Sequence, residues 1–300
     1  MSAATILITG ASGFIGGHLL PYLLERDYRV IALSRKNRTS DHHNLRWVQK
    51  LSQVNNEMID YVINLAGENI GQQRWSTERK EQLIYSRVET TTQLFQWLNH
   101  QKHRPKLVIS GSAIGYYGID EQQQWQKICD ENTEPQDIFM SQLCQQWEQA
   151  ALAYQAQYTI KIIRLGVVFA ADGGILPQML QPIKMKLVGK IGHGRQPVTW
   201  VHIADVLSVI EFLITHQPQA QVFNVVAPEQ STQQQFAECA ARYLQVRPLL
   251  TAPSFAFKLL LGEQSQLILN GQFVQPKALL EAGYHFHYPT LDLALQQLLA

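Results

Sequence analysis

A glycine turn near the start of the chain restricts the fold more than any other feature of the sequence. Gly10, Gly13 and Gly16 directly follow the apolar run of residues 6–8, and a helical pattern begins at once. When a buried strand enters a tight glycine turn and a helix starts there, the free backbone N–H groups and the helix dipole favour an anion. This order predicts a dinucleotide diphosphate site. The alternative is a strand–helix turn that binds nothing.

Strand and helix signals alternate along much of the chain. We predict strands at residues 6–9, 29–33, 61–65, 106–110, 160–165 and 222–225, and helices at residues 16–25, 77–98 and 141–154. Because alternating strands and helices form a parallel sheet covered on both faces, the predicted fold class is α/β, a doubly wound Rossmann sheet. Glycine and proline break the pattern after about residue 166. We expect a Rossmann domain at residues 1–230, with residues 166–205 contributing to a cleft, and a smaller C-terminal substrate lobe at residues 231–300.

Composition and charge exclude several classes of protein. The 300 residues carry a net charge of +1 without a basic block or an acidic tail, and 46% of them are hydrophobic. We therefore expect a globular protein with a sizeable core, no nucleic-acid partner and no membrane partner. No basic, apolar leader precedes the first strand, and no apolar run is long enough to span a bilayer. A cytoplasmic location is the expectation.

The cysteines and histidines indicate neither disulfides nor a metal site. Cys129, Cys144 and Cys239 are sparse and odd in number, so reduced thiols are expected. His42 and His43 are adjacent rather than on one face, and His285 and His287 alternate along a predicted strand without acidic or cysteine partners near in sequence, so no metal is predicted. Formation of a homo-oligomer stays open.

The end of the second predicted strand indicates which dinucleotide binds. It carries Ser34-Arg35-Lys36 and no acid. A site that prefers NAD(H) has a carboxylate here for the ribose 2′-OH. Arg35 instead offers a guanidinium that can hold a 2′-phosphate bidentately. NADP(H) is therefore the predicted cofactor, and the alternative is a solvated basic loop that continues to Arg38.

A loop of small residues follows the third predicted strand. Leu65, Ala66 and Gly67 succeed Asn64 there. Small residues at the carboxyl end of a strand let adenosine and ribose approach the backbone. A plain strand-to-loop turn would have the same residues.

The motifs occur in the order of a known family. Those at residues 9–16, 64–67 and 112–118 resemble the short-chain dehydrogenase/reductase superfamily in its extended, sugar-nucleotide-epimerase branch. Further motifs narrow the resemblance, at residues 66–70, 74–75, 86–87, 115–118, 172–174, 192–196, 200–205, 271–272 and 276–277. Over essentially its whole length the chain is similar to the atypical group of epimerase family proteins, also labelled nucleoside-diphosphate-sugar epimerases or cell-division inhibitors.

The resemblance implies an NADP-binding Rossmann domain followed by a small C-terminal domain. The cofactor contacts predicted from the glycine turn, the small-residue loop and motif position are Gly10, Ser12, Gly13, Phe14, Ile15, Gly16, Ser34, Arg35, Leu65, Ala66, Gly67 and Arg87. From its own position on the long helix, Arg87 either reaches a phosphate or anchors a loop. Alternatively it pairs with Glu81 or Glu89 on the surface.

The usual acid–base pair of the superfamily is absent from the sequence. The resemblance implies a tyrosine with a lysine four residues later on the same helix face, where the lysine lowers the pKa of the phenol. No tyrosine here has such a lysine. Aligning Glu148 with the glutamate that commonly follows the pair puts Met140 and Cys144 at its positions. A slip of one residue puts Phe139 and Leu143 there, so neither register supplies the standard acid.

Hydroxyl groups beyond the predicted strand at residues 106–110 are the candidates to replace that pair. Ser112 is placed to hydrogen-bond a substrate carbonyl, and Tyr116 or Tyr117 could move the proton. The alternative is that both tyrosines pack as loop aromatics. Cys144 as a nucleophile is a weaker hypothesis than Cys144 as a buried thiol.

The motifs of the second half belong to the region that closes the substrate cleft in the extended branch. Arg195 is a candidate for binding a substrate anion there. His202 and Asp205 are instead expected to fix the chain where it returns to the Rossmann domain.

Three hypotheses about function follow. The first is an NADP(H)-dependent oxidoreductase that acts on an unidentified small molecule in the cleft. The second is an NADP(H) sensor or scaffold without turnover, and the third is a nucleotide-sugar epimerase. The absent tyrosine–lysine pair favours the second over the third.

Overall fold

Fourteen strands and ten helices lie within residues 4–54, 57–248 and 250–300, the part of the chain that the computed structural model describes. The strands are β1 Thr5–Thr9, β2 Arg29–Leu33, β3 Leu45–Val48, β4 Tyr61–Asn64, β5 Leu107–Ala113, β6 Ile128–Cys129, β7 Ile160–Leu165, β8 Val167–Ala170, β9 Gly173–Gly174, β10 Val188–Ile191, β11 Trp200–His202, β12 Val222–Val225, β13 Leu250–Ala252 and β14 Phe273–Val274. The helices are α1 Phe14–Leu24, α2 Thr77–Asn99, α3 Phe139–Leu152, α4 Leu176–Lys184, α5 Ile203–His216, α6 Gln233–Tyr243, α7 Ser254–Leu261, α8 Gln266–Leu269, α9 Lys277–Glu281 and α10 Leu291–Leu299.

The main sheet has seven strands in the order β12-β7-β5-β4-β1-β2-β3, and every neighbouring pair is parallel. Its order reverses at β1, with β2 and β3 on one side and β4 on the other. Ligands of open parallel sheets bind beside such a reversal, at the carboxyl ends of the strands. The predicted doubly wound Rossmann fold is confirmed. Thr9 pairs with Asn64 in register at this edge.

Helices cover both faces of the sheet because the strands are apolar on both faces. All five residues of β1 are buried. On one face, Leu19 of α1 and Ile210 of α5 belong to one buried cluster. On the other face, Leu94 of α2 and Ala151 of α3 belong to a second cluster. Burial of this kind is the main stabilising contribution in such a domain.

Several elements differ from the sequence prediction, among them α1, β3 and α3, which begins at Phe139 and ends at Leu152 rather than covering residues 141–154. Helix α1 begins at Phe14 rather than at residue 16, because the Gly13 carbonyl already accepts the first helical hydrogen bond from Gly17 at 2.8 Å. Strand β3 was not predicted from the sequence, since it is four residues long and only one of them is buried. Its pairing with β2 places it at the sheet edge.

The chain after residue 230 packs closely on what precedes it. Phe236 of α6 and Leu295 of α10 share a buried cluster with Leu180 of α4. Strand β14 pairs with β6 from the first half of the chain. The domain boundary at residue 230 stays a prediction.

Two features are absent from the described residues. None of their helices combines the length and apolarity needed to cross a membrane. In the same ranges, no three histidine, cysteine, aspartate or glutamate side chains cluster to hold a metal ion.

Candidate cofactor and active site

The glycine turn joins the ends of β1 and β4. Gly10 has a φ of +68°, and a Cβ at this residue would lie 2.4 Å from the Leu65 carbonyl oxygen. A Cβ at Gly16 would lie 2.4 Å from the Gly10 carbonyl oxygen. Only glycine permits either approach, because a side chain would meet backbone that cannot rotate away. The backbone of the glycine turn therefore lies in direct contact with the loop after β4.

The start of α1 is open to an anion. Gly13 precedes the helix in extended backbone, and within the described residues no side chain caps it. The first turn has no acid in its sequence. The first N–H groups of a helix need an acceptor from outside the helix, and the helix dipole makes that acceptor preferably negative. The geometry fits a diphosphate.

Asn64 ties three strand ends together in the buried floor of this edge. Its Oδ1 accepts a 2.6 Å hydrogen bond from Thr9 Oγ1, and its Nδ2 donates to Thr91 Oγ1 at 2.8 Å and Ser110 Oγ at 3.1 Å. The side chain thereby connects β1, β4 and β5 to α2. Sequence reasoning singled out Asn64 only as part of a motif, because its partners are distant in sequence.

The Arg35 guanidinium extends into solvent at the end of β2. Its side chain is 89% exposed, and Nη1 lies 3.4 Å from Glu68 Oε1. Ser34 beside it is buried, and its hydroxyl accepts a 3.2 Å hydrogen bond from Lys36 N. Glu68 also bonds to Arg79, and chiefly this bond holds the pKa of Glu68 below its usual range. The predicted phosphate ligand is thus accessible and has a carboxylate neighbour.

Arg87 anchors the loop after β4. Its Nη2 donates to the Glu68 carbonyl at 2.7 Å, its Nη1 donates to the Leu83 carbonyl at 3.1 Å, and its guanidinium lies over the Trp147 ring. A Cβ at Gly67 would lie 3.2 Å from Arg87 Cζ. Burial lowers the pKa of Arg87. This geometry favours the loop-anchoring interpretation over a surface ion pair, and cofactor contact by Arg87 stays a prediction.

A buried polar network lies behind the end of β5. Ser112 Oγ donates to Glu148 Oε1 at 2.6 Å, and Arg164 Nε and Nη2 bind the two carboxylate oxygens of Glu148 at 2.8 Å each. All three side chains are at most 5% exposed. The Ser112 hydroxyl therefore uses its single proton in the hydrogen bond to Glu148. A lone arginine in an apolar strand carries no local signal, and Arg164 was not predicted.

The two tyrosines occupy different environments. Tyr117 is buried, and its hydroxyl donates to Asn224 Oδ1 at 2.7 Å and accepts from Arg164 Nη1 at 2.9 Å. Burial raises the pKa of Tyr117 well above its usual range. Tyr116 is only partly buried, and Arg164 Cζ lies 3.4 Å from its ring centroid. Burial raises the pKa of Tyr116 too. Tyr116 is the more accessible phenol.

The start of α3 is apolar where the superfamily has its acid–base pair. Met140 and Cys144 are buried, and both approach Gly115, where a Cβ would lie 3.7 Å from each. Burial, with the Glu148 charge adding to it, raises the pKa of Cys144 to about 12. A thiol of this kind is un-ionised at neutral pH, which favours the buried-thiol interpretation over a nucleophile.

Asp205 and His202 fasten the C-terminal tail. Asp205 is fully buried, and its carboxylate accepts from the backbone N–H of His287 at 2.7 Å and of Tyr288 at 3.0 Å. His202 Nε2 lies 2.9 Å from Gln297 Oε1. Both side chains thus make structural contacts, and the partners named here lie in the C-terminal tail. Arg195 is exposed.

Glu131 makes a similar connection that the sequence did not reveal. Its Oε1 accepts from the backbone N–H of Asn224 at 2.9 Å and of Ala278 at 3.2 Å. Mainly because of burial, the pKa of Glu131 is raised. The carboxylate joins the loop after β6 to β12 and to α9.

Comparison with known proteins identifies similar sequences across the whole chain. The model of the NAD dependent epimerase/dehydratase family matches residues 6–226, and a domain of unknown function, DUF1731, matches residues 252–298. An epimerase family protein of Staphylococcus saprophyticus is 37% identical over 298 residues, which cover 97% of this chain and 98% of the relative. One from Staphylococcus epidermidis is 33% identical, with 98% of each chain covered.

Solved structures show the same architecture. A human epimerase family protein crystallised with NADPH has a TM-score of 0.87 at 29% identity, covering 98% of this chain and 99% of its own. A nucleoside-diphosphate sugar epimerase from Corynebacterium glutamicum has a TM-score of 0.78 at 26% identity, covering 99% of this chain and 58% of its own. The UDP-glucuronic acid 4-epimerase of Bacillus cereus, in complex with UDP-glucuronic acid and NAD, has a TM-score of 0.77 at 17% identity, covering 98% of each chain, which indicates a common fold alone.

Proposed function

The chain belongs to the NAD dependent epimerase/dehydratase family, and from this premise we propose that it is an NADP(H)-dependent oxidoreductase acting on a small molecule. The observation that carries the proposal is Arg35, an exposed guanidinium at the carboxyl end of β2 where an NAD site has an acid. The human relative crystallised with NADPH supports the same cofactor.

The residues at the switch point fit the cofactor. The open N–H groups at Phe14 and Ile15 would receive the diphosphate, and Gly10 gives it access to the backbone. Arg35 would bind the 2′-phosphate, with Ser34 beside it. The small residues of the loop after β4 would lie against the adenosine. When bound, the cofactor supplies or accepts a hydride.

Two side chains would handle the substrate oxygen. Tyr116 would move the proton, because it is the partly exposed phenol of the two and Tyr117 uses its hydroxyl internally. Ser112 would orient the oxygen through its acceptor lone pairs, since its hydroxyl already donates its proton in the hydrogen bond to Glu148. A substrate hydroxyl therefore suits Ser112 better than the carbonyl expected from the sequence, because two hydrogen-bond acceptors do not bind each other.

A titration with NADPH followed by a screen of carbonyl and alcohol substrates tests the proposal. We expect NADPH to bind, and the nicotinamide absorbance to change with at least one substrate class. Failure to bind NADPH would overturn the proposal. Binding without turnover of any substrate would favour the sensor.

The sensor remains the second candidate because of one observation. Met140 and Cys144 are buried side chains at the position of the usual acid–base pair, and burial raises the pKa of Cys144 so that its thiol is un-ionised at neutral pH. Cofactor binding needs neither group. A nucleotide-sugar epimerase ranks third, since moving a proton to and from a sugar hydroxyl depends on such a pair.

A further inference from the structure

Glu68 links a buried arginine to an exposed one. Its Oε2 accepts a hydrogen bond from Arg79 Nη1, and its Oε1 lies 3.4 Å from Arg35 Nη1. The Arg79 side chain is 6% exposed, whereas that of Arg35 is 89% exposed. One carboxylate thus connects α2 to the end of β2, across the carboxyl edge of the sheet.

The carboxylate is held on a rigid support. Glu68 N donates to Ser86 Oγ at 3.1 Å, and the Glu68 carbonyl accepts from Arg87 Nη2 at 2.7 Å. Arg79 Nη2 donates to the next carbonyl, that of Asn69, at 2.8 Å. Because α2 fixes the loop at these points, Glu68 presents its Oε1 at a defined position facing Arg35.

Charge balance leaves Arg35 cationic. A buried guanidinium needs a compensating carboxylate, and Glu68 provides it to Arg79. The pair Arg79–Glu68 is therefore neutral as a unit, and the positive charge that remains belongs to Arg35. Since the bond from Arg79 lowers the pKa of Glu68, the carboxylate stays ionised at neutral pH.

We propose that Glu68 is a positioning residue for NADP(H) selectivity, which holds the Arg35 guanidinium where the cofactor 2′-phosphate arrives. The inference rests on the proposed function. An exposed arginine loses side-chain conformational entropy when it binds a phosphate. A carboxylate that already orders the guanidinium reduces this entropy loss on binding. Glu68 thus favours the phosphorylated cofactor although its own charge is negative.

A competing role makes the opposite prediction. A carboxylate near the adenosine ribose can itself accept a hydrogen bond from the 2′-OH of NAD(H). In that case removal of its charge would weaken NADH binding and would strengthen NADPH binding, because a repulsive neighbour of the 2′-phosphate disappears. The two roles therefore differ in sign.

The test measures the Kd of NADPH and NADH for the full-length wild type, Glu68→Gln, Arg35→Ala and the double variant. We expect Glu68→Gln to weaken NADPH about two- to five-fold, the range of an exposed ion pair, and to leave NADH unchanged. In the Arg35→Ala background the same substitution should have no further effect, since Glu68 acts through Arg35. Glu57→Gln is the matched control. Glu57 also pairs with two arginines, Arg29 at the start of β2 and Arg46 in β3, away from Arg35 at the end of β2.

Several outcomes would overturn the inference. Unchanged or tighter NADPH binding by Glu68→Gln would do so, as would an equal loss for NADH or an effect that persists without Arg35. Glu68→Asp keeps the negative charge that compensates Arg79 but draws the carboxylate back from both arginines, so it should also weaken NADPH binding while lowering the Tm less than Glu68→Gln does. A wild type that binds neither nucleotide overturns the proposed function itself, whereas normal binding with an inert Glu68→Gln overturns only the positioning role.

Discussion

Glu148 and Arg164 form a buried bidentate ion pair, with both N–O distances at 2.8 Å. The pair joins α3 to β7 and holds the Ser112 hydroxyl on the same carboxylate. The net stability gained from a buried ion pair of this kind is small, because desolvation of the two charges opposes their attraction.

Removal of one partner should be strongly destabilising. We expect Glu148→Ala to lower the free energy of unfolding by ~3–5 kcal/mol, since Arg164 is then buried without a counter-charge. Urea denaturation measures the change. Glu263→Gln, which breaks the more exposed pair with Lys80, should change stability by less than about 1 kcal/mol. A loss of less than about 1 kcal/mol for Glu148→Ala would contradict the assignment of a buried ion pair between Glu148 and Arg164.

Gly10 in the glycine turn and Gly17 in α1 should respond in opposite ways to replacement by alanine. Gly10→Ala puts a Cβ 2.4 Å from the Leu65 carbonyl at a positive φ, so we expect a loss of more than ~2 kcal/mol together with the loss of NADPH binding. Within the described residues a Cβ at Gly17 meets nothing within 4 Å, and Gly17→Ala in α1 should stabilise the protein by ~0.5–1 kcal/mol. Thermal unfolding and nucleotide titration separate the two. Equal effects would refute the close contact with Leu65.

Arg35 should distinguish the two dinucleotides. We expect Arg35→Ala to weaken NADPH by about 10- to 100-fold, the range for a charge-assisted phosphate contact, with little change for NADH. Because the guanidinium is exposed, added salt should weaken NADPH binding in the wild type more than in the variant. Fluorescence titration at two salt concentrations measures the affinities for NADPH and NADH and their salt dependence. Equal losses for the two nucleotides would remove the argument for 2′-phosphate recognition.

Cysteine reactivity should follow burial and pKa. Burial raises the pKa of Cys144 to about 12, so its thiolate is scarce at about pH 8 and rises only as the pH approaches that value. Cys239 is only partly buried and should be alkylated first in the native protein, with Cys129 and Cys144 protected. Mass spectrometry of iodoacetamide-treated protein, with a denatured control in which all three react, gives the order. Labelling of Cys144 ahead of Cys239 would revive its candidacy as a nucleophile.

Local sequence determined the Rossmann framework. The strand at β1, the glycine turn and the helix start follow from side-chain size and hydrophobic periodicity within about ten residues, and those signals do not depend on the rest of the chain. For the same reason Arg35 could be proposed as a phosphate ligand from its position after β2. The missing acid–base pair was also visible, because it is defined by a spacing along one helix.

Tertiary structure alone decided which polar groups meet. Asn64 contacts Thr9, Thr91 and Ser110 across three elements, and Glu148 receives Arg164 from a neighbouring strand. No local periodicity encodes such pairs, since their partners are brought together by the order of strands in the sheet. The Ser112 hydroxyl illustrates the consequence: its position at the end of β5 could be predicted from sequence, but its commitment to Glu148 depends on how α3 packs on the sheet.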